Sequence, residues 1–559
     1  MKYRPFNFTE DIQKYKMKTA GKSYAKHLIR TIVLLFFIAA CKNNSNSLQV
    51  PILVTHGIIP LPKQIDFSED KLILDQEFTF VRNSPFPIAS QAAEDLISSS
   101  ISSYKISETI PTEGKSFQLF SDKTIKDDAY ELSLTLSGIQ IRAGNEAGAF
   151  WAVQSLKQYI WNSANGQKQN SLELTCIKII DEPKYSWRGF HLDVSRHLFT
   201  KEYILKIIDW LSYYKFNKLH LHLSDDQGWR VESKKFPLLN EIGSWRIFDS
   251  YDSICMRKAQ SNSDFAIDPR FIKVRNGIKM YGGYYTQDDL AQIIEYAKNH
   301  FIEIIPEIDM PGHMSAAIRA YPQLSCTGSS GWGKEFSYPI CPCNAEAFDL
   351  AFQIWDEVAE LFPSKYIHIG ADEVEKDSWV SSLVCQDFMK ANNLLNVKEI
   401  QSFFVGKLQK HLQDKVKTVL AWDDVTDGKM SSDLKIMYWR DWVTDAPAKA
   451  AANGNEIIFT RWDLFYLSSP NSDESLKNLL EFDLNKAYPT EVTSKTIGFQ
   501  GCVWTEEIPS EAVFESQIFP RLQALSEQNW SANKSLYSFN LRMEPHLKYL
   551  RANHVNLKN

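Results

Sequence analysis

What most constrains this 559-residue chain is an alternation of element types: short apolar runs separated by longer stretches with helical spacing. Eight runs read as strands, at residues 189–194, 218–223, 302–308, 366–369, 418–422, 435–439, 456–459 and 497–503. The intervening helices are plainest at 286–298, 344–361 and 398–412, where apolar residues recur at the helical period. The first of these opens Thr286-Gln287-Asp288-Asp289, an N-cap followed by acids that suit the positive end of a helix. Eight strand–helix units over roughly 370 residues predict a (β/α)8 TIM barrel with insertions. The sixth and seventh units fit least well, because their linking segments are short or irregular.

The stretch before the barrel reads differently. Residues 90–98 and 147–160 have helical spacing, Tyr130-Glu131-Leu132-Ser133-Leu134 alternates as a strand, and Gly138 turns into Ile139-Gln140-Ile141. This predicts a small α+β domain over 48–182 with no chemistry of its own, then the barrel over 183–559, with the boundary at Asp181-Glu182-Pro183. Residues 1–47 are set apart as a targeting segment. The apolar run 32–40 is too short for a membrane-spanning helix, which needs about 20 residues. Lys18, Lys22, Lys26 and Arg30 precede it and small residues end it at a cysteine, the layout of an export signal. Ile38-Ala39-Ala40-Cys41 resembles a bacterial lipobox, which implies lipidation of Cys41 and a polar tether, Lys42-Asn43-Asn44-Ser45-Asn46-Ser47, behind it. The expectation is an exported outer-membrane lipoprotein, facing the periplasm or the surface, with Met17 an alternative start. Of the 8 cysteines, the seven after Cys41 leave at least one unpaired. Cys326 and Cys341 bracket a Gly/Ser-rich loop and are the first candidates for a disulfide, with Cys343 competing for the place of Cys341.

In a barrel of this kind chemistry gathers at the carboxyl ends of the strands. Those ends carry Arg188 and Asp193, His222 with Asp225 and Asp226, Asp309 and His313, then Asp372 and Glu373. Trp422 with Asp423, Trp439 with Arg440, and Trp504 with Glu506 complete the set. The run Tyr366-Ile367-His368-Ile369-Gly370-Ala371-Asp372-Glu373 is the sharpest of these. It is read as a strand that places His368, Gly370 and Asp372 on one side, with Glu373 aimed elsewhere. Adjacent carboxylates suppress each other's ionisation, so one of the two is a candidate proton donor. Tryptophans among acids at one cleft suit a carbohydrate, whose C–H face stacks while its hydroxyls take directional hydrogen bonds. The competing reading is a metallohydrolase, with His220-Leu221-His222 and Asp225 as ligands joined by His313, His368 or Asp372; stacking tryptophans have no part in that chemistry. A net charge of −6 with no basic block gives no footing for nucleic acid.

The segments Trp187-Arg188-Gly189-Phe190-His191-Leu192-Asp193-Val194-Ser195-Arg196-His197 and His220-Leu221-His222-Leu223-Ser224-Asp225-Asp226-Gln227-Gly228-Trp229-Arg230 resemble those of the family 20 glycoside hydrolases, the β-N-acetylhexosaminidases. So do Gly282-Gly283-Tyr284-Tyr285-Thr286, Pro306-Glu307-Ile308-Asp309-Met310-Pro311-Gly312-His313, the Asp372-Glu373 stretch and Val503-Trp504-Thr505-Glu506, in that order. The resemblance implies exo-acting hydrolysis of glycans ending in β-linked N-acetylhexosamine, without a cofactor or metal. It also implies substrate-assisted retention, in which the 2-acetamido oxygen is the nucleophile. It makes Glu373 the general acid and base and Asp372 the partner of the acetamido N–H. Arg188 would bind the 3- and 4-hydroxyls, and Asp225 and His313 would tune Glu373. Trp422, Trp439 and Trp504 would wall the sugar, Tyr466 would bond the acetamido oxygen, and Glu506 would take the 4- or 6-hydroxyl. One departure stands out. Where the family commonly has Tyr-x-Asp, this chain reads Tyr466-Leu467-Ser468, which predicts an altered preference at the 4- or 6-position of the sugar.

Overall fold

The computed structural model describes residues 56–164, 166–331 and 336–557; the leader, Cys41 and the tether lie outside the described residues. The leading part is one seven-stranded sheet in the spatial order Gln64–Leu74, Leu172–Asp181, Tyr130–Thr135, Gly138–Ala143, Ser116–Ser121, Thr79–Val81, Lys105–Ser107. The first four of these are antiparallel neighbours and the remaining pairings are parallel. The helix Glu146–Ala164 buries Trp151, Leu156 and Ile160 in a core shared with the sheet. Trp530, from a helix that follows the last barrel strand, joins the same core.

Asp181 is the junction between sheet and barrel. It is buried, and its oxygens take Lys215 Nζ at 2.9 Å, Tyr130 OH at 2.7 Å and Trp530 Nε1 at 2.9 Å. A carboxylate this deep is tolerable only when paired and hydrogen-bonded, so sheet, barrel and C-terminal helix are tied at one point.

All eight expected barrel strands are present. They close in sequence order as Trp187–Asp193, Lys218–His222, Glu303–Glu307, Tyr366–His368, Thr418–Trp422, Lys435–Tyr438, Ile457–Phe459 and Thr496–Val503, which pairs back with the first. The helix Gln287–Asn299 is capped by Thr286 in a capping box with Asp289, and turns Leu290, Ile293 and Ala297 inward. In the irregular sixth and seventh units the first helix after the strand is short, Ala446–Ala452 and Trp462–Phe465, and the seventh adds Asp473–Glu481 before the last strand. Register then fixes the site: Asp193 is level with His222, His222 with Glu307, and Glu307 with His368.

The fourth strand departs from expectation. It stops at His368, so pleating does not place Asp372. Instead the backbone turns through left-handed conformations at Gly370 (φ 67°), Ala371 (φ 74°) and Glu373 (φ 47°). Hydrogen bonds from several elements hold the turn, among them Ala371 N to Asp309 Oδ1 at 3.0 Å, Gln401 Nε2 to Ala371 O at 2.8 Å, and Glu373 N to Asp424 Oδ1 at 3.1 Å. A Cβ at Gly370 would lie 1.9 Å from Asp309 Oδ1 and 2.7 Å from its Cα. Gly370→Ala should therefore cost about 2–4 kcal/mol, from steric overlap and the positive φ together. Urea denaturation measures this, and an unchanged midpoint would contradict the packing.

Candidate active site

Glu307, at the end of the third strand, is fully buried inside the barrel. His222 Nδ1 meets its Oε2 at 2.6 Å, His220 Nε2 lies 3.1 Å from the same oxygen, and Trp422 Nε1 donates to Oε1 at 2.8 Å. His368 Nδ1 is 2.9 Å from Oε1. Burial alone would protonate this carboxyl, but the surrounding imidazoles hold it well below the usual carboxylate range. Burial likewise keeps His191 and His220 neutral. His222 differs because it has a carboxylate on each nitrogen, Asp225 Oδ2 being 2.7 Å from Nε2. Burial opposes its charge, yet Glu307 and Asp225 push it up to about 10.

The chain of contacts continues outward. Asp225 Oδ1 meets His313 Nδ1 at 3.1 Å, and His313 Nε2 lies 3.6 Å from Glu373 Oε2 and 4.0 Å from Asp372 Oδ2. Buried His313 is raised well above an ordinary histidine, because Asp225, Asp226 and Glu373 outweigh its desolvation. Its backbone, at φ 52°, is held by Ser337 Oγ, which accepts from His313 N at 3.2 Å. Ser337 belongs to the loop closed by a disulfide between Cys326 and Cys341. Cys343 is a free thiol, and the Sγ of the free Cys385 lies 3.4 Å from that of Cys326.

Asp372 and Glu373 have unlike surroundings. The side chain of Glu373 is 39 % exposed at the mouth, whereas that of Asp372 is 9 % exposed. Asp372 is pushed up to about 7 by burial, with Asp424 and Glu373 adding to the shift and His313 opposing it. Asp309 is raised well above the ordinary carboxylate range by burial and by the adjacent Asp372. Burial and neighbouring acids push both carboxyls up, while their contact raises Asp309 and lowers Asp372, so the direction leaves the charge on Asp372. Among the described residues, the Oδ1 of Asp372 and the Oδ2 of Asp309 are both buried without a hydrogen-bond partner, so Asp372 keeps an acceptor uncommitted.

Aromatic side chains enclose this acceptor. Trp422 is almost fully buried, and its ring centroid is 5.9 Å from that of Trp504. Tyr466 lies nearly parallel to Trp439 at 6.3 Å, with 16° between the planes, and is 6.2 Å from Trp504. Asp424 fixes Trp439 through Nε1 at 2.9 Å, and Asp423 holds its backbone N–H at 2.8 Å. Arg440 is bound to Asp423 through Nε at 2.9 Å, so it braces the wall from behind.

Arg188 is corrected by the structure. It is the second residue of its strand and therefore sits at the amino end of the barrel, away from Asp372 and Glu373. Its guanidinium donates to Lys215 O at 2.8 Å, Tyr185 O at 3.2 Å and Asp128 at 3.2 Å, and lies over Trp151 and Trp530. The arginine in the site is Arg196, three residues beyond the same strand. It bonds Asp225 Oδ2 at 2.7 Å, approaches Glu506 Oε1 at 3.7 Å and packs over Trp504 at 5.0 Å. The rule that chemistry sits at carboxyl ends already favours position 196 over 188. Asp424 and Ser337 were also missed; both act through contacts between distant segments, which no local spacing announces.

Several His/Asp/Glu groups here bring candidate ligand atoms within 4.8 Å of one another, among them His191, His222 and Glu307, and His313, Asp372 and Glu373. In the first group His222 is already paired with Glu307, whereas His191 Nε2 stands 3.8 Å from the same carboxylate. The charge of His222 is the most exposed consequence of this arrangement. Its folded value lies above the 6.5 of a free imidazole, so its stabilising contribution is full below about pH 6.5 and is lost as pH rises through about 10. Histidine NMR should find the His222 ring charged at neutral pH, and Asp225→Asn should move its titration downward. A wild-type ring titrating near 6.5 would refute the double pairing.

Comparison with known proteins gives a consistent picture. The family model described as "Glycosyl hydrolase family 20, catalytic domain" matches residues 185–533, and "Glycosyl hydrolase family 20, domain 2" matches 55–182. A beta-hexosaminidase of Porphyromonas gingivalis is 31% identical over 540 residues, covering 92% of this chain and 66% of that protein. The beta-hexosaminidase of Akkermansia muciniphila is 26% identical over 460 residues, 78% of this chain and 87% of that protein. The chain thus spans just under two thirds of the first relative, as it does of the 30% identical beta-hexosaminidase of Vibrio furnissii, at 66% of its length. Among solved structures, a GH20 exo beta-N-acetylglucosaminidase from Vibrio harveyi in complex with N-acetylglucosamine superposes with a TM-score of 0.76 at 27% identity. That match covers 90% of this chain and 78% of the other. The beta-N-acetylhexosaminidase from Bacteroides fragilis gives 0.72 at 25% identity, covering 89% and 96%. With the catalytic-domain match covering most of the barrel and the leading-domain match preceding it, this chain belongs to glycosyl hydrolase family 20.

Proposed function

We propose that the protein is an exo-acting β-N-acetylhexosaminidase that removes terminal β-linked GlcNAc or GalNAc by a retaining, substrate-assisted mechanism. The observation that carries this reading is the unpartnered Oδ1 of Asp372, buried beside the proton-bearing chain Asp225–His313–Glu373 and walled by Trp422, Trp439, Tyr466 and Trp504. An acetamido N–H donated to Asp372 turns the acetamido oxygen toward the anomeric carbon. That oxygen attacks C1 as the C1–O bond to the leaving group breaks, and Glu373 gives its proton to the departing oxygen. The ring nitrogen of the resulting oxazolinium carries positive charge, which anionic Asp372 offsets in a low-dielectric site. Water then attacks C1 from the vacated side as the C1–O bond to the acetamido oxygen breaks and the acetamide is restored, Glu373 takes a proton from the water, and two inversions give retention. Arg196 and Glu506 are placed to bind ring hydroxyls.

Glu373→Gln should cost at least about 10²–10⁴-fold in turnover of unactivated β-HexNAc glycans while product binding persists; undiminished turnover would remove Glu373 from its role. Arg196→Lys should lower kcat/KM with little change in thermal midpoint, whereas Arg188→Lys should lower the midpoint and leave KM alone. The reverse pattern would restore Arg188 to the site. Chelation should leave the rate unchanged, and a metal-dependent rate would favour the metallohydrolase reading.

Export and anchoring through Cys41 are part of the same proposal. The support is the basic-then-apolar leader ending in Ile38-Ala39-Ala40-Cys41. Metabolic labelling with an alkynyl fatty acid should mark the wild type and not Cys41→Ser, which should leave the membrane fraction. Equal labelling of both would refute the anchor.

A further inference from the structure

Beside the sugar-binding wall lies a cavity of about 400 Å³, bounded on one side by Tyr466, Trp504 and Glu506 of the site and on the other by Tyr251, Trp462 and Gln517. Its volume falls within the range of about 300–1,000 Å³ typical of small-molecule sites. Ser468 lines it, at the position where the family resemblance places an acid that would close the far edge of the sugar. A serine leaves that edge open toward the cavity.

Three observations mark this as a built space. The loop carrying Ser468 is clamped from below: Arg521 Nη2, buried, donates to Leu467 O and to Ser469 O, each at 2.7 Å. Gln517 lines the cavity, and its buried Oε1 has no hydrogen-bond partner among the described residues. Trp462 is 52 % exposed, an indole face of the kind that stacks on a pyranose. The charges decide the occupant. Glu506 and Glu507 both line the cavity, and its one lysine, Lys258, is paired with Glu507 at 2.5 Å. The net charge is acidic, which disfavours a sulfate or phosphate and suits a neutral polyol whose hydroxyls donate to Gln517 and the carboxylates.

We infer that this cavity is a second sugar subsite, taking a neutral hexose carried on the 4- or 6-oxygen of the terminal N-acetylhexosamine. The inference rests on the hexosaminidase reading and extends it: the same C1–O bond breaks, but the released product is a disaccharide. Ser468 supplies the opening and Trp462 the platform.

The test compares nitrophenyl β-glycosides of GlcNAc with those of GlcNAc bearing a β-galactosyl unit on O4 or on O6, and of 6-O-sulfo-GlcNAc, with products identified by mass. Wild type should release intact disaccharide from at least one galactosylated substrate, with kcat/KM within about tenfold of the GlcNAc value. Trp462→Ala should reduce that release about tenfold and leave GlcNAc turnover unchanged; Ser468→Asp should depress it selectively. Turnover of GlcNAc with no disaccharide release overturns the subsite alone. Preference for the sulfated substrate overturns its neutral character. Turnover of none of the four overturns the hexosaminidase reading and the subsite together.

Discussion

Glu307 sets the terms for everything above it. A carboxylate at the centre of a barrel has lost its water, and it stays charged only because a cation is held against it. His222 is that cation, but an imidazolium in the same interior needs an anion on its second nitrogen, and Asp225 provides it. Asp225 then has a spare oxygen, which His313 takes, and the far nitrogen of His313 reaches Glu373 at the mouth. Each buried charge recruits the next of opposite sign, so a need created in the core is satisfied only at the surface. Glu373, the proposed general acid, is the last member of a series that begins deep in the barrel.

The same logic separates the two adjacent acids. Glu373 faces solvent and His313 at the mouth. Asp372 is kept from water and leans on Asp309, a contact whose direction leaves the charge on Asp372. Achieving this from neighbouring positions requires a backbone that no strand supplies. The left-handed turn at Gly370, Ala371 and Glu373 aims them apart, at a cost of about 1–3 kcal/mol for each strained residue. Asp309 offsets part of that cost by accepting from Ala371 N, so one carboxyl both stabilises the turn and polarises its product.

The barrel was legible because its strands are buried on both faces and read as continuous apolar runs, which helices with capped, amphipathic patterns cannot imitate. The acids and tryptophans at strand ends were legible for a related reason: polar groups at the end of an apolar run have few structural uses. Two misplacements show where that reading stops. Arg188 was assigned to the sugar because it lies in a motif, yet a strand has two ends and residue 188 opens it. Its guanidinium is used to tie the barrel to Asp128 and Trp151 of the leading domain. Asp372 was assigned by pleating to a strand that had already ended. In both cases the residue type was right for a buried polar role, and only the third dimension said which one.

The site is therefore rigid where the reaction is and variable where the substrate differs. Nothing in the chain from Glu307 to Glu373 can change alone, because removing one buried charge strands its neighbour, at a cost of about 3–5 kcal/mol. The edge near Ser468 has no such dependency. Its loop is held through backbone carbonyls by Arg521, so the side chain at 468 is free to vary without disturbing the wall formed by Tyr466. On the proposed reading, an acid missing there costs one hydroxyl contact but leaves Asp372, the Asp225–His313–Glu373 series and the aromatic wall as they are. Selectivity can move along that edge while the reaction stays the same.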